Sequence, residues 1–317
     1  MLTKSKSANN YDGIKMKYLL TICFAVILAF ASLNAQNLSE SNYESNRERI
    51  KSSHIKSETQ WMVDLSNSSK NKISYQEYNT DGRVLKQITY GKGDVVLAES
   101  NYQYDQNGRM VNSSSNKNSK NEVVKNIYSY NSIDKISSSE TRNNKNELLA
   151  EMKYKYNEAG QLSELETIGA NNKIHLIFIY NYDAKGNIVD LLTNDLNNNI
   201  KSNVTFKYDA NGNLIEQSTM DQNNRVLQTI DKKYDPKGKL LSEVIKNTKN
   251  EIVSKTENKN DANGFNVEKV ISNPAAKISK KIISVNDKNG NVLEQTIYNK
   301  LNEPVNKILY DYEYYEQ

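Results

Sequence analysis

The side chains with the most chemical potential in this chain are tyrosines, and they recur at fixed spacing. Pairs two residues apart stand at Tyr102/Tyr104, Tyr128/Tyr130, Tyr154/Tyr156, Tyr180/Tyr182 and Tyr310/Tyr312, and single members of the series stand at Tyr78, Tyr208 and Tyr234. A phenol ring can stack on the apolar face of a sugar while its hydroxyl bonds a sugar hydroxyl. The same rings can also fill a thin core and pair across strands, at about 0.2 to 1 kcal/mol per pair. Tyr104, Tyr156, Tyr180, Tyr182, Tyr208 and Tyr234 are therefore the candidate ligand-binding residues, and a purely structural ladder is the competing role.

Other chemistry has little to stand on. The Asp-x-Asn-Gly strings at Asp105, Asp209, Asp261 and Asp287 offer one carboxylate each, where calcium needs six to eight oxygens, so they are expected to be turns and no metal is expected. His54 and His175 are the two histidines, and neither belongs to a His-x-x-x-His pair. A Gly-rich phosphate loop and a Gly-x-Ser-x-Gly elbow are both missing from the sequence. The expectation is a protein without catalytic residues and without a cofactor.

The elements that position the tyrosines follow from a 26-residue repeat. Its glycine slot falls at Gly82, Gly108, Gly160, Gly186, Gly212, Gly238, Gly264 and Gly290, with Asp134 in the third place, four residues after each Tyr slot. A period of this size means a repeat architecture. Twelve residues after each motif comes an echo, as Tyr208-Asp209-Ala210-Asn211-Gly212 is followed by Met220-Asp221-Gln222-Asn223-Asn224. An Asp or Asn that opens a type I turn, closed by a residue able to take positive φ, makes a hairpin turn with a glycine bulge. Asn146, Asn172, Asn198, Asn224, Asn250 and Asn302 stand in for Gly in the echoes, whereas Lys120 and Ala276 break the rule. Between turns the residues alternate: Ile174, Leu176, Phe178, Tyr180 and Tyr182 share one strand face, which is strand periodicity. The late units lose their tyrosines to Asn258/Asn260 and Ser284/Asn286 and are expected to be looser.

Composition sets the outer limits. The chain has 317 residues, 37% of them hydrophobic, which is thin for a bulky core. Residues 18–33 carry no charge, follow Lys15 and Lys17, and lead into Asn34-Ala35, so residues 1–35 are expected to be an export signal, with Met16 as an alternative start. The run is short for a transmembrane anchor. Cys23, the single cysteine, leaves with the signal, so no disulfide is expected. The formal charge of +4 falls by three on cleavage, too near neutral for nucleic-acid binding. Residues 36–60 are expected to form a polar spacer, with a short helix as the alternative, and 61–317 the array, opened by a half-repeat that Trp61 caps.

Tyr102-Gln103-Tyr104-Asp105-Gln106-Asn107-Gly108-Arg109-Met110 and Tyr180-Asn181-Tyr182-Asp183-Ala184-Lys185-Gly186-Asn187-Ile188 resemble the YD repeat of the Rhs family of bacterial surface and secreted proteins. The resemblance covers residues 75 to 315 and rests on register across nine copies. It implies an all-β fold of tandem hairpins in one long spiralling antiparallel sheet, with a β-solenoid as the alternative. Location outside the bacterial inner membrane is implied too: periplasmic, cell-surface or extracellular. The implied function is non-enzymatic binding or scaffolding, with glycan as leading ligand and an envelope protein next; a part in toxin delivery or neutralisation is the alternative. An unprotected terminal strand would allow edge-to-edge dimers.

Overall fold

The computed structural model describes residues 38–117 and 123–316. The expected signal with Met16 and Cys23, and the irregular turn at Lys120, lie outside the described residues. The chain divides into two compact units, Met1–Asn46 and Arg47–Gln317. Of the first, the described part is helical from Leu38; the second begins inside the same helix, α1 (Leu38–Ser52), and contains the whole sheet.

That sheet has 20 strands, from β1 (Ile55–Asp64) to β20 (Pro304–Tyr314). Each pairs antiparallel with its neighbours in sequence, and β1 pairs with β20 from Ile55↔Tyr314 to Asp64↔Asn306. The sheet is a closed barrel. This corrects the expectation of an open spiralling sheet or a solenoid. It also removes the premise of an edge-to-edge dimer, because neither β1 nor β20 keeps an unpaired edge.

The reason for closure lies in register. Tyr75 of β2 (Ser69–Tyr78) pairs with Ile88 of β3 (Val84–Tyr90), and Ile88 pairs with Glu99 of β4 (Val96–Tyr104). Two strands thus carry the ladder 24 residues along the chain while the sequence repeats every 26, a slip of two per repeat. An even slip keeps every repeat's tyrosine on the same face, and a constant slip tilts the strands as a barrel requires, by about 35–45°. The seam obeys the same step: Tyr310 pairs with Gln60 and Gln60 with Ser74, two residues short of Gln76, the repeat equivalent of Tyr310. Trp61 does not cap an open end. It sits in this seam, paired with Lys72 on one side and Leu309 on the other.

The turns follow their chemistry. Asp209 Oδ1 accepts from the amides of Asn211 (2.9 Å) and Asn213 (2.8 Å), and the Gly212 amide bonds the Asp209 carbonyl at 3.1 Å. The eight motif glycines all take positive φ, and Asp134 does so at 59°. In the echoes Asn146, Asn172, Asn224, Asn250 and Asn302 do the same, but at the fifth echo the left-handed residue is Asn199, not Asn198. There the turn is one residue longer, as it is around Ala276, where Lys277 takes positive φ after Pro274. The register shift after each motif, such as that between Lys207 and Tyr208, turns the motif Leu to the tyrosine's side. Leu214 is 5% exposed and its neighbour Ile215 is 36% exposed.

Two regions are densely packed. One is a sector of β9 (Leu162–Gly169), β10 (Ile174–Tyr182), β11 (Ile188–Asp195) and β12 (Ile200–Tyr208), where Leu165, Phe178, Leu191, Val204 and Phe206 are buried. The other is at the seam, where Ile50 of α1 packs with Ile55 and Tyr78, flanked by Val84 and Tyr312. There Arg49 and Ser53 bond the Asn291 side chain, and Tyr315 donates from its amide to His54 and from its hydroxyl to Tyr78. The stretch read as polar spacer therefore supplies a helix and the first six residues of β1. The late units expected to be looser keep complete ladders, for example Lys255↔Ser272 to Asn260↔Asn266.

Candidate functional site

The two faces of the barrel differ. Leu165 and Leu191 are 1% exposed and Val204 0%. In a closed single-layer sheet only the concave side brings other side chains over such residues, so the face they share with the tyrosines is the inner one. The residue between the two Tyr slots points the other way and is exposed, as at Gln103, Lys155, Asn181, Lys207, Lys233 and Lys259. Outside, ion pairs such as Lys155 with Glu164 (2.6 Å) and Glu166 (2.8 Å), and Lys207 with Glu216 (2.8 Å), cross from strand to strand. An outward face of this composition is made for water, since a lipid-facing barrel needs an apolar band there.

The candidate tyrosines form one inner ladder, and the hydroxyls of five of the six are engaged by backbone carbonyls. Tyr104, Tyr156, Tyr182, Tyr208 and Tyr234 donate to the carbonyls of Val84, Ile136, Leu162, Ile188 and Leu214 at 2.7–2.9 Å, each partner 20 residues earlier. Tyr130 and Tyr312 make the same bond to Met110 and Val292. The two-residue slip carries each tyrosine past the preceding motif turn, and the phenol then satisfies the carbonyl just after that turn. Tyr180 lies in the buried sector at 3% exposure. Burial, with the neighbouring Tyr156 and Tyr208 phenols, pushes Tyr182 up to about 12, and burial with Asp183 nearby does the same to Tyr208. Where Asn replaces Tyr, Asn286 Nδ2 still reaches the Asn266 carbonyl at 3.1 Å, whereas Asn260 Nδ2 is buried without a partner among the described residues.

The motif aspartates are likewise spent within their turns. Side-chain and backbone hydrogen bonds from Asn187 hold the Asp183 carboxyl below its usual value, and those from Asn213 do so for Asp209.

A site suited to a ligand lies elsewhere, on the outer face of β4, β5 (Met110–Lys117) and β6 (Val123–Tyr130). Here the Lys–Glu pattern gives way to neutral groups. A hollow of 440 Å³ is lined by Val96, Leu97, Glu99, Asn101, Ser114 and Asn116 among others, and a second, of 160 Å³, shares Asn101 and Ser114 and adds Gln103, Asn112 and Lys125. Glu99 is held by Lys86 at 3.0 Å and by the Asn101 amide at 3.2 Å, which keeps its carboxyl below the usual value. Asn116 Oδ1 is shut from solvent and has no hydrogen-bond partner among the described residues. The hollow exists because β5 carries Ser113-Ser114-Ser115 where other repeats carry longer side chains, such as Glu140 or Glu166 at the Ser114 position. None of these residues was picked out by motif; the available signal was Asn112-Ser113-Ser114-Ser115-Asn116, a strand with no apolar residue.

No family model matches the chain. No curated protein matches it either. Similar solved structures include the TcdB2-TccC3-TEV crystal structure, at 12% identity and TM-score 0.41 over 78% of this chain. This chain spans only 14% of that one. A porin-like protein from Bacteroides uniformis is similar at 8% identity and TM-score 0.38, over 82% of this chain and 98% of that one. One from Bacteroides vulgatus is similar at 10% and 0.30, over 83% and 99%. Likenesses this remote leave the function to be read from the chain's own residues.

Proposed function

We propose that this protein is a non-enzymatic, exported YD-repeat barrel that binds a neutral glycan in the outward groove of β4–β6. The groove's composition carries the reading. Neutral amides and hydroxyls at Asn101, Gln103, Asn112, Ser114 and Asn116 suit sugar hydroxyls, and Val96, Leu97 and Val123 offer an apolar wall for the C–H face of a ring. A buried amide oxygen without a partner is a group that a ligand hydroxyl would satisfy. The inner tyrosines then build the wall instead of touching the ligand. Export rests on the charge-free run 18–33 after Lys15 and Lys17, with destinations from periplasm to cell surface or medium.

The test is a polysaccharide and peptidoglycan-fragment screen with the chain from Gln36 onward, then Ser114→Leu, which fills the hollow from an exposed face. Retention on one glycan that Ser114→Leu abolishes with the melting temperature unchanged supports the reading; no retention, or retention indifferent to Ser114→Leu, ends it. The alternative is a Rhs-like part in toxin delivery or neutralisation. The enclosed inner face favours it, and co-purification of a toxin segment shielded from protease would establish it.

A further inference from the structure

The rim away from the motif turns has a surface that the glycan groove does not explain. Leu301 is 68% exposed, Val95 58% and Leu65 37%, each at the tip of a hairpin turn. The three turns adjoin. Leu65 donates its amide to the Val305 carbonyl at 3.1 Å, beside the turn that carries Leu301. On the other side, Lys72 donates its amide to Asp94 Oδ1 at 3.2 Å, next to Val95. Charge accompanies the apolar tips: Lys92 and Lys300 are exposed beside Val95 and Leu301, and Lys70 is exposed beyond Leu65. The local acids are held by hydrogen bonds within the rim: Asp64 accepts from Ser66 and Asn67, Asp94 from the Lys72 amide, and Glu303 from the Asn299 side chain at 2.9 Å. Lys70 and Lys72 lie over Trp61 at 4.5 and 5.2 Å from the ring centre.

Three apolar tips in one rim, each with a lysine near it and the acids tied back, match a surface that is apolar below and anionic above. We propose that this rim docks on an anionic lipid surface, with Val95, Leu301 and Leu65 entering the headgroup layer and Lys92 and Lys300 contacting lipid phosphates. The barrel wall stays in water, consistent with its charged outer face.

The experiment is co-sedimentation of the chain from Gln36 onward, which excludes the apolar run 18–33, with vesicles of phosphatidylcholine alone or mixed with phosphatidylglycerol. The described fold begins after that point, at Leu38. Binding is expected to the mixed vesicles only and to weaken with salt. The paired change Val95→Ser with Leu301→Ser should weaken it at least about tenfold. Lys92→Gln with Lys300→Gln should weaken it by about 25-fold, about fivefold per lysine. Circular dichroism confirms that each variant folds, since all four positions are exposed turn residues. No sedimentation with the anionic vesicles overturns the proposal. So does binding that the variants leave unchanged, or concentration-dependent self-association lost in Val95→Ser/Leu301→Ser, which would assign the patch to a second copy. Glycan retention is scored separately, so failure of one proposal does not mask the other.

Discussion

Replacing Tyr182 by Phe removes one hydroxyl and little else, and the ladder geometry sets what that costs. The phenol donates to the Leu162 carbonyl at 2.7 Å from a half-buried position on the inner face, and Leu162 itself is 3% exposed. Losing the donor leaves that carbonyl short of a partner in a place water reaches poorly, which costs about 1 to 2 kcal/mol. Tyr182→Ala also removes the ring and costs about 2 to 4 kcal/mol, less than a fully buried aromatic because Tyr182 is not fully covered. Urea melts of the chain from Gln36 onward measure both, with Asn181→Ala on the exposed outer face as a control expected to stay within about 0.5 kcal/mol. Because the barrel is one closed ring, the loss should move a single cooperative transition. A Tyr182→Phe protein that melts like the parent, together with a Tyr182→Ala protein that loses only glycan retention, would refute the ladder's structural role and return the tyrosines to ligand binding.

Asn260→Tyr should stabilise the protein by about 1 kcal/mol, because the buried Asn260 Nδ2 has no partner among the described residues and a phenol there would reach the Leu240 carbonyl; an unchanged urea midpoint would count against this. The same change at Asn286 should gain less, since its amide already bonds Asn266 at 3.1 Å. The ladder also predicts alkaline unfolding. Burial raises Tyr182, Tyr208 and Tyr310 from 10.0 to about 12, so their contribution is intact below pH 10 and is lost as pH climbs towards 12. Tyrosinate absorbance and loss of sheet signal should rise together in that window, and independent titration at pH 10 with the fold intact would contradict it. Gly82→Ala should destabilise more than Gly212→Ala in thermal melts, because both positions have positive φ but only at Gly82 would a Cβ collide with the α1 backbone, at the Arg47 carbonyl oxygen.

The hairpin unit was legible because its causes are local. Asp209 and Gly212 belong to one turn, their hydrogen bonds span at most four residues, and residue types alone place the bend, the bulge and the alternating faces. Even there the one miss, Asn199 for Asn198, came from a turn one residue longer, which composition does not mark. Closure was not legible. It depends on a slip of two residues repeated at every pair of strands and on the meeting of Tyr310 with Gln60 across most of the chain. The 26-residue period is blind to that slip, because the period counts residues along the chain and the slip is a property of pairing between strands.

The same distinction bears on the tyrosines and the groove. Alternation puts Tyr180 and Tyr182 on one face but does not say which face is concave, and concavity decides whether a phenol meets a ligand or a carbonyl. Once neighbouring strands pair with the two-residue slip, the 20-residue step from Tyr182 to Leu162 becomes a contact, and the hydroxyl that looked available for sugar satisfies the backbone. Under the proposed function, binding falls to the outer face, where it arises by departing from the repeat. The stretch Asn112-Ser113-Ser114-Ser115-Asn116 is such a departure: its short side chains open a hollow in a wall otherwise filled by Lys and Glu. In a barrel whose repeats each preserve the wall, function is most economically placed where a repeat breaks the pattern without breaking the ladder, and β5 keeps its pairing with both neighbours while doing so.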